Sequence, residues 1–166
     1  MMNNEIIGPD YGEIINLEKI ANKDGSGIKF DELTGNWKFQ YVWKRGAESI
    51  DNISSSLLQV LLASLELSNI QLENDPAKFE IKNSLKFGVL SIAFCGEAFL
   101  KGTRPLLYFS FKNLNIKVGN ITVLTKSLKK PELKKMPFFS LIAIDKKGEW
   151  LCARGKGGGL AIWKRN

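Results

Sequence analysis

Four aromatic side chains at alternate positions, Trp37, Phe39, Tyr41 and Trp43, are where the chemistry of this chain begins. An extended strand sends alternate residues to opposite faces, so these rings would form one surface while Lys38, Gln40, Val42 and Lys44 take the other. A surface of rings offers large apolar contact at small entropic cost, which suits conjugated rings and isoprenoid chains. The same alternation also serves a strand whose rings simply fill a packed interior. Phe94, Phe109 and Phe111, on later strand-like segments, are the further candidates for a ligand-binding lining.

Reactive chemistry has little to stand on. The 166 residues include no histidine, which removes the commonest general base, the commonest zinc ligand and every Ser–His or Cys–His nucleophile. Cys95 and Cys152 stand far apart without metal-ligand spacing, and both are expected to be reduced, partly buried strand residues. Glu97 and Asp145 are isolated carboxylates. The glycines of Arg154-Gly155-Lys156-Gly157-Gly158-Gly159 could cradle a phosphate, yet no helix follows and the spacing fits neither a P-loop nor a dinucleotide fingerprint. A tight turn is the expectation there. The residues thus predict a non-enzymatic protein with no catalytic residue, no metal and no cofactor.

Charge is unevenly spread. Residues 101–166 carry 15 basic and 3 acidic side chains, net +12, within a whole-chain charge of +7. Lys126, Lys129, Lys130, Lys134 and Lys135 crowd a loop over 126–137 that also holds Pro131 and Pro137. Such a loop suits an anionic membrane face, with Met136, Phe138 and Phe139 dipping into the interface, or is simply solvated. Nucleic-acid binding is the less favoured use of that charge, because the aromatics alternate in core fashion rather than interleaving with the lysines. No apolar run approaches the roughly 20 residues that cross a bilayer. Met1–Glu5 lacks the basic and apolar stretches of a secretory signal, so a mature intracellular protein, or one relieved of its targeting segment, is expected.

The elements that must position these groups follow from period. Ile14, Ile15, Leu17, Ile20 and Ala21 predict a short amphipathic N-terminal helix that ends at Asp24-Gly25 and caps one end of the domain. A second helix is expected over 53–66 from Ile53, Leu57, Leu58 and Leu65, and Asp75-Pro76 marks a turn. Elsewhere the period is two. Phe79, Ile81, Asn83, Leu85 and Phe87 share a face; so do Leu90, Ile92 and Phe94; Leu107, Phe109 and Phe111; and Leu114, Ile116 and Val118. Gly88 and Gly119-Asn120 reverse the chain, and strands at 138–144, 150–154 and 160–164 close it. Residues 1–166 read as one mainly β domain, an antiparallel β-barrel.

Three motifs, in order, carry a resemblance. Leu33-Thr34-Gly35-Asn36-Trp37-Lys38-Phe39-Gln40-Tyr41, Ile81-Lys82-Asn83-Ser84-Leu85-Lys86-Phe87 and the stretch from Arg154 to Trp163 resemble the opening, middle and closing strands of the plastid-lipid-associated protein family, also called plastidial fibrillins or plastoglobulins. The resemblance spans roughly residues 10–166. It implies a lipocalin-like barrel that binds or organises a prenyl quinone, carotenoid or acyl lipid at photosynthetic membranes. A cyanobacterial member at the cytoplasmic face of the thylakoid or in the cytoplasm fits best, or a plastid protein after loss of its transit peptide. In lipocalin-type folds a basic side chain from the last strands packs on the Gly-x-Trp indole, and Arg154 is the applicant, with Gly35, Gly155 and Gly159 in structural roles. The expected partners are an apolar small molecule or lipid and a peripherally bound membrane touched by Lys129, Lys130, Lys134 and Lys135, and not nucleic acid. The alternative is a phycobilin-handling lyase or chaperone of a related barrel type, which would need a polar or basic lumen for the pigment's propionates.

Overall fold

A computed structural model describes residues 8–60, 63–70 and 78–166. Nine strands are hydrogen-bonded in the order β4-β3-β2-β1-β9-β8-β7-β5-β6, and β4 also pairs with β5. These strands are β1 Gly35–Trp43, β2 Ser64–Ile70, β3 Lys78–Phe87, β4 Leu90–Lys101, β5 Leu106–Val118, β6 Ile121–Ser127, β7 Phe138–Ile144, β8 Trp150–Gly155 and β9 Leu160–Arg165. Every pairing is antiparallel. The first strand therefore meets the last, and the sheet closes into a ring from which β6 hangs outside. The expected turn at Asp75-Pro76 lies outside the described residues, and β5 runs unbroken where two strands were expected.

Alternation explains the ring. Trp37, Leu65, Leu67, Phe79, Ile81, Ala98, Leu107, Leu151, Ala153 and Trp163 turn inward and form one buried cluster. Extended strands with one face buried and the other solvated are set by such period-two patterning. Three helices flank the ring among the described residues: α1 Tyr11–Asp24, α2 Phe30–Leu33 and α3 Asn52–Val60. None is long and apolar enough to cross a membrane.

The N-terminal helix is where expected, but its job is different. Asp10 and Glu13 close a capping box at the start of α1, each side chain accepting from the other's backbone N–H at 2.9 Å. Ile14 and Ala21 are buried, and α1 lies along the outside of the ring over Ile142, Cys152, Leu160 and Ile162. The end of the ring is plugged instead by α2, where Leu33 is fully buried and Phe30 stacks on Phe79 at 3.8 Å between centroids.

Two expectations need correcting. The second helix stops at Val60 rather than near 66, because Leu65-Glu66-Leu67 alternates and joins β2 between β1 and β3. The ring stripe of β1 is also broken. Phe39 opposes Trp163 while Tyr41 opposes Ile162, so one extra residue bulges from β1 and exchanges its faces. Trp37 and Phe39 remain inside, whereas Tyr41 and Trp43 are thrown outward under α1 and Val42 takes the inner face.

A second bulge, at Cys95/Gly96 against β5, brings two backbones close together. A Cβ at Gly96 would lie 1.9 Å from the Ser110 carbonyl oxygen and 2.7 Å from Phe111 Cα. Backbone cannot yield there as a flexible side chain would. Gly96→Ala should therefore cost about 3 kcal/mol in urea unfolding. Gly157→Ala, at a position with nothing within 4 Å, should stay within about 0.5 kcal/mol. Equal losses would contradict the close approach.

Candidate ligand-binding cavity

The plugged end comes first. Trp37 is fully buried, and its indole N–H donates to the Leu33 carbonyl at 2.9 Å. The guanidinium lying on its ring is that of Arg165, 4.2 Å from the centroid. Arg165 donates to the carbonyls of Gly148, Thr34 and Glu32 at 2.7, 2.7 and 2.6 Å, which joins β9 to α2 and to the β7–β8 turn. A cation on an indole contributes about 0.5–2 kcal/mol. Gly35 is required beneath it: its φ is +140°, and a Cβ there would sit 2.6 Å from the Arg165 guanidinium. Gly35 thus holds its expected structural place.

Arg154 does not reach the indole. In β8 Leu151 and Ala153 point inward, so Arg154 must point out. It grips Glu18 of α1 with Nε and Nη2, both at 2.6 Å, and donates Nη1 to the Gly158 carbonyl at 2.6 Å. Glu18, hydrogen-bonded to it, pushes the guanidinium pKa further above its ordinary value. The pair fastens α1 to the ring, with Glu18 only 9% exposed.

Above the plugged end lies a cavity of about 400 Å³. Phe39, Leu65, Phe94, Phe139 and Trp163 line its walls, and Val42, Leu58 and Leu85 line it nearer the mouth. Among the described residues, Asn83 is the only side-chain amide of the lining and its side chain makes no hydrogen bond to another of them. No lining side chain among the described residues is titratable, so these residues can hold and orient a molecule but offer no group to move a proton. A larger open groove of about 710 Å³ lies on the opposite face of β3, β4 and β5 among Lys82, Lys86, Asn115 and Lys117. Charged and polar side chains line most of that groove, which makes it a poorer site for an apolar guest.

Of the seven predicted lining residues, Phe39 and Phe94 line the hollow, whereas Trp37 is buried in the core cluster at the plugged end and does not line it. Phe109 and Phe111 stand behind the wall, 5.5 Å from each other and 5.1 and 5.4 Å from Phe139 and Phe94 respectively. Tyr41 and Trp43 belong to the outer cluster. Gly155 and Gly159 form a turn at the mouth, joined from the Gly155 N–H to the Gly159 carbonyl at 2.9 Å. Lys129, Lys130, Lys134 and Lys135 are exposed on the loop between β6 and β7. Lys156 in the mouth turn donates to the Lys134 and Met136 carbonyls at 2.9 and 3.2 Å, so this basic loop stands on the open end. Met136 is buried at 3% exposure and Phe139 faces the hollow, so neither reaches a lipid interface.

The remaining polar candidates have structural partners. Glu97 pairs with Lys112, which holds its carboxyl below the usual range. Asp145 accepts from the Lys147 N–H at 3.0 Å in the β7–β8 turn. Both cysteines are free; burial pushes the Cys152 thiol up to about 12.

The mouth depends on α3. Val42 N–H donates to Ser55 Oγ at 3.1 Å and Asp51 N–H to the Val42 carbonyl at 2.8 Å, which straps the helix to β1. Asp51 accepts from the Ser54 N–H at 3.2 Å and pairs with Lys44 at 3.0 Å. Ser54, then Lys44, pull its pKa from 3.8 down to about 2.

These features describe a class: a small antiparallel ring, plugged at one end and open at the other, around an apolar hollow. Comparison of the chain with protein-family models and with curated proteins finds no match.

Two outcomes follow. Arg154→Ala should cost about 1.5–3 kcal/mol by leaving Glu18 only its 3.8 Å contact with Arg104, and adding Glu18→Leu should restore part of that loss in a double-mutant cycle. For Asp51, whose pKa is depressed by folding, the stabilisation exists above its unfolded value and is lost as pH falls. The gap in melting temperature between the wild type and Asp51→Asn should be steady above about pH 5 and close progressively towards about pH 2. A gap constant over that range would contradict the cap.

Proposed function

We propose that the protein is a non-enzymatic lipid-associated binding module, a lipocalin-like barrel that takes a prenyl quinone, carotenoid or acyl lipid at photosynthetic membranes. The observation that carries this reading is the open-ended hollow walled by rings and aliphatic side chains with one free amide. Its volume exceeds the ~150 Å³ that admits a benzene ring and falls at the lower end of the roughly 300–1,000 Å³ of small-molecule sites. A quinone ring with its first isoprene units suits that space, while a longer chain must leave through the mouth. Asn83 supplies what a quinone oxygen needs, a donor within an otherwise apolar wall. The order of the three motifs supports kinship with the plastid-lipid-associated proteins, and the photosynthetic membrane enters through that kinship alone.

A phycobilin-handling role has less support. Propionates ask for cations inside, and the basic side chains stand at the rim or outside rather than in the lining.

The test is titration with decylplastoquinone, read by quenching of tryptophan fluorescence, since Trp163 lines the hollow. Saturable quenching is expected. Leu85→Trp, which fills the hollow, should weaken binding about tenfold or more, an effect worth ~1.4 kcal/mol. Asn83→Leu should weaken the quinone but not a plain alkane of similar length. Undiminished affinity in Leu85→Trp would overturn the reading.

A further inference from the structure

Most of the large apolar side chains that stand exposed among the described residues sit on two neighbouring hairpins, β3–β4 and β5–β6. Phe87 is 60% exposed, Val89 69%, Ile121 70% and Val123 56%. Their position follows from register. β2 begins at Ser64, opposite Ser84, and β7 pairs with β5 only from Leu106 to Tyr108. Beyond those levels β3, β4, β5 and β6 continue as a four-stranded tongue with no ring around it.

Residues directly opposite each other in a sheet share a face. Asn83, Phe94 and Leu114 form one row across the tongue, at the level of the hollow. Leu85, Ile92, Ile116 and Leu124 form the next. Phe87, Leu90, Val118 and Ile121 form the last, at the tips. Asn83, Leu85 and Phe94 line the hollow, so all three rows continue its wall. Apart from Asn83 and from Lys126, which pairs with Leu114 on the outermost strand, the inner face of the tongue is thus one apolar strip from cavity to tips. The outer face carries Lys82, Lys86, Ser91, Asn115 and Lys117 instead.

Charge selects the occupant. No acidic residue occurs from Ile81 to Gly96 or from Ala98 to Pro131, whereas those stretches hold Lys82, Lys86, Lys101, Arg104, Lys112, Lys117, Lys126, Lys129 and Lys130, of which Lys112 pairs with Glu97. An apolar edge set among basic side chains matches acyl chains beneath anionic headgroups. A second copy of the chain would bring the same lysines face to face.

We propose that the open end docks on an anionic bilayer, with the two hairpin tips entering the boundary between headgroups and acyl chains. The inner face of the tongue then forms a continuous apolar path by which a ligand passes between bilayer and hollow without crossing water. Docking itself is independent of the binding role proposed above; the path rests on it.

The test uses the full chain with vesicles of phosphatidylcholine, alone or with phosphatidylglycerol. Flotation with the anionic vesicles is expected, falling at least tenfold in the Phe87→Ser/Val89→Ser/Ile121→Ser variant and at high salt. These positions are exposed, so the variant should fold, which its melting temperature checks. In separate proteins, Val89→Trp should be quenched by brominated lipid while Ile20→Trp, exposed on α1, should not. Quenching at both sites alike, flotation undiminished in the serine variant, or a wild-type dimer that the serines dissolve would each overturn docking. Decylplastoquinone titration of the serine variant separates the two readings. Quinone binding without flotation of the wild type sinks docking alone, and flotation without quinone binding sinks the binding role and the path.

Discussion

The contact on which the rest depends is Arg165 against Trp37. A sheet can close on itself only if its first and last strands meet in a fixed register, and a slip of one residue would turn its inward rings outward. Arg165 settles that register. Its guanidinium covers the indole and spends its donors on three backbone carbonyls from two separate stretches of chain, Glu32–Thr34 and the β7–β8 turn. Two of these bonds are part-buried and the one to Glu32 lies at the surface, so each contributes about 0.5–1.5 kcal/mol. Closing one end this way leaves the other free to stay open, and the hollow exists because the plug and the mouth are built from different elements.

The two ends divide the chemistry accordingly. At the plugged end α2 fills space with Leu33 and Phe30. At the open end α3 stands in for the missing upper part of β2, turning Leu58 into the hollow while Ile53 and Leu57 face solvent. Here the wall is one helix held by Asp51 and Ser55 rather than a strand held by a full ladder. Fewer backbone bonds hold it, so this is where the ring opens most readily.

Most of the strand positions were legible because burial on one face imposes a period of two, which Phe79–Phe87 and Leu90–Phe94 obey, while Phe138–Ile144 departs from it at a bulge between Leu141 and Ala143. What was not legible depends on counting faces across irregularities. The bulge in β1 adds one residue to a strand that reads as perfectly alternating, and nothing in Phe39-Gln40-Tyr41 announces it. Tyr41 and Trp43 were lost from the lining for that reason. Arg154 was misplaced although its parity could have been read: Leu151 and Ala153 fix the inner face of β8, and Arg165 shares the face of Ala161 and Trp163. Val42, Leu58 and Phe139 were missed because a hollow is defined by atoms that are absent, which no periodicity records.

The meeting of β1 with β9 has a further consequence for how the molecule comes to exist. A ribosome delivers Gly35–Trp43 more than a hundred residues before its partner Leu160–Arg165. Until then one edge of β1 has nothing to bind, and closure must await synthesis of Leu160–Arg165. Folding of this topology is slow for the same reason that all sheets joined end to end are slow, since distant segments must find each other before either gains anything. Loss of Arg165 alone would leave the circle without its clasp.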